Sequence, residues 1–150
     1  MLIIKVNMNK VIMVCVMMLA STSAFAGVCR NGSALGGYNY VYIGVKSGIT
    51  IHAVGLINFN GKGTAAVSGL RSQDGRALTE SGSGTYTVSS GCIARGSIVW
   101  KNGTITNYAV YLDQMDNVPA TRIAYHGTLI GWTNNGLSFS GEITRVIGKF

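Results

Sequence analysis

Residues 49–70 read ITIHAVGLINFNGKGTAAVSGL and carry the clearest structural signal in the chain. Between residues 49 and 59, apolar side chains recur at every second position, as Ile49, Ile51, Ala53, Ile57 and Phe59. A period of two places them on one face of a β-strand. Asn60-Gly61 then indicates a tight hairpin, because these residue types accept the positive φ angles that such turns need. Residues 64–70 are predicted to form the returning strand.

The same alternation recurs along the rest of the chain. Further period-two segments are predicted at residues 37–43, 84–88, 93–100, 105–112, 121–130 and 137–147. Asn102-Gly103 and Asn135-Gly136 repeat the Asn-Gly turn signal, whereas residues 72–83 are predicted to be a long polar connection. The result is about eight short strands, with no segment of helical periodicity among them.

Eight antiparallel strands joined by hairpins most simply close into an all-β, up-and-down barrel, because closure leaves no exposed sheet edge. A two-sheet sandwich is the alternative. An eight-stranded barrel is either filled by its own side chains or holds one small ligand. Small residues on the predicted strands, among them Gly55, Ala65, Ala94 and Gly96, leave both outcomes open.

The first 26 residues have the three parts of a secretory signal peptide. Lys5 and Lys10 precede an apolar run at residues 11–19, and Ala24-Phe25-Ala26 supplies the small-residue cleavage site. The run is well short of the ~20 residues that span a bilayer. We therefore expect an exported protein, periplasmic or extracellular, with one domain at residues 27–150. Loss of the two lysines lowers the net charge of +7 by two, to +5.

Two of the three cysteines, Cys29 and Cys92, lie beyond the leader. In an exported chain such a pair favours a disulfide. Closing a loop of this size is worth about 4 kcal/mol in the chain-entropy model. The alternative, a cysteine nucleophile, has no support from a neighbouring base in the local sequence.

The composition excludes several classes of protein. With 21 glycines, one proline and only five acidic residues, the chain is neither disordered, nor a coiled coil, nor a multidomain enzyme. No cofactor or metal site is predicted, because so few carboxylates are present. Segments 84–88 and 64–70 are respectively too short and too polar for a membrane-spanning barrel.

The residue types that perform acid–base chemistry are few and scattered. His52 and His126 have no carboxylate beside them in sequence, and they are interpreted as surface or hydrogen-bonded histidines. Glu80 and Glu142 are the pair that a two-carboxylate hydrolase would need to bring together. Lys62, between Gly61 and Gly63, lacks the spacing and the strand-to-helix context of a phosphate loop. The protein is therefore expected to be non-enzymatic.

The basic residues are also spread over many segments. They include Arg71, Arg76, Arg95, Lys101, Arg122 and Arg145. Without interleaved aromatics they do not indicate nucleic-acid binding. The positive charge is compatible with contact to an anionic surface.

Aromatic residues supply the candidate ligand-binding positions. Tyr38, Tyr40 and Tyr42 form a stripe that is expected to face the core. The large side chains on predicted strands that would line a cavity are Tyr40, Tyr42, Ile51, Phe59, Tyr86, Trp100 and Tyr108.

Several segments together resemble a family of small secreted bacterial proteins of uncharacterised function, with a lipocalin-like or allene-oxide-cyclase-like barrel. The matching pieces are Cys29, GGYNY at residues 36–40, GLINFNGKG at 55–63, GTYTV at 84–88 and Gly91-Cys92. The resemblance implies a secreted β-barrel and no particular activity.

Three functional hypotheses follow. The first is an exported barrel that binds a small apolar ligand or an envelope partner. The second is a periplasmic immunity or inhibitor protein. The third is a cyclase or isomerase resembling allene oxide cyclase, for which His52, His126 and Glu142 are the candidate polar groups.

Overall fold

The computed structural model describes residues 28–116 and 122–146, and within them the chain forms one closed antiparallel β-barrel. The strands are β1 Gly36–Lys46, β2 Ile49–Phe59, β3 Thr64–Gln73, β4 Arg76–Val88, β5 Ile93–Trp100, β6 Ile105–Met115, β7 Ala124–Thr133 and β8 Ser138–Arg145. A short 3-10 helix, Asn31–Ala34, precedes β1. The predicted leader, residues 1–26, lies outside the described residues.

Each strand pairs with the next, and β8 pairs with β1 to close the ring. Every strand therefore has two hydrogen-bonded neighbours. The prediction of an eight-stranded up-and-down barrel is confirmed, and the two-sheet alternative is wrong. Within the described residues, no helix is long and apolar enough to cross a lipid bilayer.

The expected polar connection at residues 72–83 is wrong, because most of this segment belongs to β4. The chain reverses in two residues, since Asp74 and Gly75 adopt φ angles of 53° and 73°. The inward positions of early β4 are Glu80, Gly82 and Gly84, so the strand has no apolar alternation to reveal it. β4 is consequently much longer than the predicted segment 84–88.

Large and small side chains alternate around the inside of the barrel. One row of paired positions, passing from β4 through to β1, consists of Tyr86, Gly96, Tyr108, Gly131, Phe139 and Gly44. A Cβ added at Gly96 would lie 2.8 Å from the Tyr108 hydroxyl, and one at Gly44 would lie 2.8 Å from the Cβ of Phe139. Each ring therefore occupies space that the neighbouring glycine leaves free.

One end of the barrel, which we call the closed end, is covered by the 3-10 helix. Ala34 is fully buried there. The Asn31 carbonyl oxygen accepts a hydrogen bond from the Tyr86 hydroxyl at 3.1 Å, and its side-chain oxygen accepts one from the Val88 amide at 2.8 Å. The predicted disulfide is confirmed, because Cys29 and Cys92 are bonded next to this helix. The opposite end, where β1–β2, β3–β4, β5–β6 and β7–β8 turn, is called the open end.

The glycine row gives a direct stability test. An added methyl group in Gly131→Ala would overlap the Phe139 ring and lie 2.8 Å from the Asn107 carbonyl oxygen. We expect the free energy of unfolding to fall by roughly 1–3 kcal/mol, as in other overpacked cores. Gly91→Ala is the matched control, because only Ser89 lies within reach of its Cβ, at 3.9 Å. Chemical denaturation should separate the two variants, and equal stabilities would contradict the packing account.

Candidate functional site

The interior contains a small apolar cavity, which we call the inner chamber. Its volume is about 40 Å³. On this measure a water molecule takes ~10–15 Å³, so the chamber has room for about three. The side chains that line it are Tyr40, Tyr42, Ile57, Val67, Ile98, Trp100, Thr106, Tyr108, Val110, Leu129, Phe139 and Ile143. The barrel is therefore neither completely filled nor hollow.

Two buried tyrosine hydroxyls at the chamber have no hydrogen-bond partner among the described residues. They belong to Tyr40 and Tyr108. Burial raises the pKa of both phenols, and the nearby Glu80 carboxyl raises that of Tyr40 further. By contrast, the Tyr38 hydroxyl donates to the Ala124 carbonyl oxygen at 2.9 Å. An unpaired buried polar group costs ~1–3 kcal/mol, so these two hydroxyls are unusual features of the residues that line the chamber.

A second, polar cavity of about 20 Å³ lies towards the open end, and we call it the vestibule. Its lining comprises Tyr42, Arg71, Glu80, Trp100, Asn102, Thr104, Thr106, Thr133, Asn135 and Leu137. Tyr42, Trp100 and Thr106 border both cavities, and we refer to these three as the partition. The Trp100 indole N–H donates to the Thr106 hydroxyl at 2.6 Å, which holds the indole in place between the two spaces.

An ion pair lies largely inside the vestibule. The Arg71 Nε is 3.2 Å from a Glu80 carboxylate oxygen, and the two side chains are only 16% and 12% exposed. The contact is not aligned as a hydrogen bond, and Arg71 Nε and Glu80 Oε1 lack such partners among the described residues. Burial raises the pKa of the Glu80 carboxyl, and the Arg71 charge partly opposes that shift. The pair is thus close but incompletely satisfied.

The seven predicted lining residues all face the interior, but they divide into two groups. Tyr40, Tyr42, Trp100 and Tyr108 line the inner chamber. Ile51, Phe59 and Tyr86 are buried in the surrounding core instead. Phe59 and Tyr86 pack edge to face, with ring centroids 4.8 Å apart. The tyrosine stripe Tyr38, Tyr40 and Tyr42 is buried, as predicted.

The charged pair of the vestibule was not expected as a site. A usable signal exists for Arg71, because the inward positions Ala65, Val67 and Gly69 of β3 lead directly to it. The predicted strand ends at Leu70, so Arg71 lies beyond its end. Glu80 has no comparable signal, since it lies in the predicted polar connection.

Of the candidate acid–base residues, His52, His126 and Glu142 lie outside the lumen. His52 is exposed on β2. The His126 Nδ1 is 2.8 Å from Asp113, and its Nε2 is 3.6 Å from Glu142, on the outer wall. The interpretation of exposed or hydrogen-bonded histidines is confirmed. Glu80 and Glu142 do not converge, because one faces the vestibule and the other faces outward. None of the residues named for a cyclase lines the inner chamber.

The outer wall carries an apolar area near the open end, which we call the outer patch. It consists of Val41, Ile43, Val45, Val54, Leu70, Ile130 and Trp132, each about half exposed. Val41 pairs with Val54, and Val54 with Leu70, so these three residues cross β1, β2 and β3. Ile130 and Trp132 lie on β7, separated from β1 by the exposed Ser138 and Ser140 of β8. Further along the wall, Ser83 on β4 and Ser68 on β3 are exposed polar residues. Val99 on β5 and Tyr111 on β6 are also about half exposed, so exposed apolar side chains are not confined to the outer patch.

Comparisons with known proteins support the fold alone. No protein-family model matches the chain, and no curated protein does. A redesigned β-barrel is similar with a TM-score of 0.52 and 18% identity, covering 79% of this chain and 96% of that one. A de novo designed fluorescence-activating β-barrel matches with a TM-score of 0.49 and 15% identity, over 76% of this chain and 94% of its own. A redesigned barrel bound to DFHBI has a TM-score of 0.47 and 16% identity, covering 74% of this chain and 97% of that one.

The unpaired hydroxyls can be tested by removing them. Tyr40→Phe deletes a hydroxyl that has no described partner, so the free energy of unfolding should stay constant or rise. Tyr38→Phe deletes a hydrogen-bonded hydroxyl and should lower the free energy of unfolding by about 1 kcal/mol. Equilibrium denaturation of the two variants is the measurement. An equal loss in both would show that Tyr40 is satisfied.

The His126 cluster predicts a pH dependence of stability. The hydrogen bond to Asp113 raises the pKa of His126, and Glu142 adds to this while partial burial opposes it. Because the pKa is higher in the folded state, protonated His126 stabilises the fold fully below its unfolded pKa of about 6.5. This stabilisation is lost as the pH rises through the folded pKa. The stability advantage of the wild type over His126→Gln should therefore be larger at about pH 5.5 than at about pH 8. A constant difference in denaturation experiments would contradict this.

Proposed function

We propose that the protein is an exported, non-enzymatic β-barrel that binds a small, mainly apolar ligand inside the barrel through its open end. One observation carries the proposal: an apolar chamber with two unpaired buried hydroxyls lies directly beneath a polar vestibule. Ligand sites in proteins are typically apolar spaces with a few well-placed polar groups. The inner chamber has this character.

The unpaired hydroxyls favour a binding role over a purely structural core. A core selected only for stability gains nothing from a buried hydroxyl without a partner, and phenylalanine would fill the same space at lower cost. Tyr40 and Tyr108 each lie against a glycine of the neighbouring strand, Gly55 and Gly96. The Tyr40 and Tyr108 hydroxyl oxygens lie 2.6 and 2.8 Å from the Cβ positions that Gly55 and Gly96 lack, so these glycines make room for the hydroxyl ends of the rings.

The size of the cavities sets how a ligand gains access. Ligand pockets commonly measure about 300–1,000 Å³, far more than the inner chamber. Trp100 is one of the three partition residues, and movement of its large indole would join the chamber to the vestibule. Its hydrogen bond to Thr106 is one interaction between neutral groups, worth only about 0.5–1.5 kcal/mol net. Opening the partition would break this hydrogen bond and part of the packing of the indole against the core.

Export is supported by two independent features of the chain. The leader pattern at residues 1–26 predicts secretion. The disulfide between Cys29 and Cys92 is of a kind that persists in oxidising compartments. The resemblance to a family of small secreted bacterial proteins agrees with both. The periplasm and the extracellular space are the compartments that fit.

The outer patch favours a second candidate function, binding of an envelope protein, as an immunity or inhibitor protein would do. Contiguous exposed apolar side chains on three neighbouring strands are typical of a protein–protein contact. This role would use the outer wall and would leave the chamber unoccupied. The two candidate functions therefore place the bound molecule on opposite sides of the same sheet.

The two tryptophans provide the test, because Trp100 borders the chamber and Trp132 lies in the outer patch. Trp132→Phe leaves Trp100 as the only tryptophan reporter, and Trp100→Phe leaves Trp132. Neutral naphthamide should change the fluorescence of the Trp100 reporter in a saturable, one-to-one manner. The Trp132 reporter should not respond.

A response from Trp132 alone would place apolar binding on the outer patch and contradict the ligand-binding proposal. Failure of naphthamide to bind the wild type, monitored by calorimetry, would contradict it as well. Circular dichroism of both variants verifies that the barrel is intact.

A further inference from the structure

We propose that the ligand carries one acidic group, which Arg71 binds in the vestibule while the apolar body of the ligand occupies the inner chamber. The inference rests on the ligand-binding function proposed above and adds the charge and the orientation of the ligand. Three features of the open end support this inference. Arg71 has an unpaired Nε, positive charges surround the opening, and the inner chamber is apolar whereas the vestibule is polar.

The guanidinium of Arg71 is buried but incompletely used. A guanidinium has five N–H donors in a planar fork that suits carboxylate, sulfonate or phosphate oxygens. The nearest acceptor, Glu80, approaches Nε at 3.2 Å without hydrogen-bond alignment. Nε is buried without a hydrogen-bond partner among the described residues, and only 16% of the Arg71 side chain is exposed. A ligand oxygen in the vestibule would provide the aligned partner that Glu80 does not.

Glu80 is a weak competitor for Arg71. Its carboxyl is desolvated by burial, which disfavours the charged form, and its Oε1 has no described hydrogen-bond donor. A buried pair with such geometry recovers little of the desolvation cost of its two charges. An acidic ligand would therefore compete with Glu80 for the Arg71 guanidinium.

The charges around the open end favour an anion over a cation. Lys46, Arg76 and Lys101 lie at the ends of strands or in turns on this side of the barrel, and Asp74 is the acidic residue of the same turns. Lys101 also borders a surface groove that contains Glu80 and Trp100. The excess of positive charge raises the local concentration of an acidic ligand.

The two cavities fix the orientation of the ligand. The inner chamber is lined by apolar side chains and by residues with neutral hydroxyls, and no charged side chain of the described residues borders it. Burying an acidic group there would leave it unpaired, which is costly. The vestibule offers Arg71 together with the polar side chains of Asn102, Thr104 and Thr133. The acidic group consequently faces the open end and the apolar body points inward.

The test compares naphthoate with naphthamide, which share one aromatic body and differ in a single charge. Calorimetry on the wild-type protein should show naphthoate binding about ten-fold more tightly or better, because a charge-assisted contact to arginine is gained. Arg71→Met should abolish this preference by weakening naphthoate alone. Glu80→Gln removes the competing charge and should strengthen naphthoate several-fold without affecting naphthamide. Arg95→Met, on the exposed outer wall, is the matched control and should change neither affinity.

The outcomes separate this inference from the function on which it rests. If naphthamide binds at the Trp100 reporter but naphthoate binds no more tightly, the acidic-ligand inference is overturned and the ligand-binding function stands. An equal loss of naphthoate binding in Arg71→Met and Arg95→Met would also overturn it, because the effect would then be one of net charge. If neither compound binds, the function itself fails. The wild-type comparison and Glu80→Gln keep the test decisive should Arg71→Met fold poorly.

Discussion

The lumen of an eight-stranded barrel is just wide enough for side chains, and the interior of this protein is arranged around that limit. Opposing aromatic residues cannot all occupy one level, so the row through Tyr86, Tyr108 and Phe139 has a glycine between each ring. The 21 glycines of the chain are thus only partly turn residues. Several of them are the space into which a neighbouring aromatic ring packs. The inner chamber is the volume that this packing leaves unfilled.

The two ends of the barrel are built from different chemistry. At the closed end, Asn31 hydrogen bonds to both Tyr86 and Val88, and the disulfide holds the helix against the barrel. Polar atoms are paired there. Towards the open end, Arg71 and Glu80 have unsatisfied atoms among the described residues, and so do the Tyr40 and Tyr108 hydroxyls deeper in the barrel. Buried polar groups of this kind are normally satisfied by ordered water or by a bound molecule.

Much of the fold is predictable from sequence because its signals are local. The hairpin at residues 49–70 combines strict alternation with an Asn-Gly turn, and β2 has the predicted bounds. β4 escaped prediction because its inward positions, Glu80, Gly82 and Gly84, are not apolar. Its assignment depends on pairing with β3 and β5, which no local pattern reveals.

The candidate site was predictable only in its aromatic part. Large side chains at inward positions identify Tyr40, Tyr42, Trp100 and Tyr108 without any knowledge of tertiary structure. The Arg71–Glu80 contact and the Trp100–Thr106 hydrogen bond depend on strand register and rotamers. Which end of the barrel is open follows from contacts of the 3-10 helix, so it also lies beyond local sequence patterns. The outward position of His126 and Glu142 likewise becomes evident only from the register of β7 and β8.

We propose that the barrel holds a small ligand with its acidic group in the vestibule and its apolar body in the inner chamber. Native mass spectrometry of the mature protein, purified gently from its own host, would detect such a ligand. We expect a one-to-one small-molecule adduct whose dissociation releases an organic anion, together with a chain mass that shows the disulfide intact. A bare chain, or a co-purifying protein in place of the adduct, would contradict the claim.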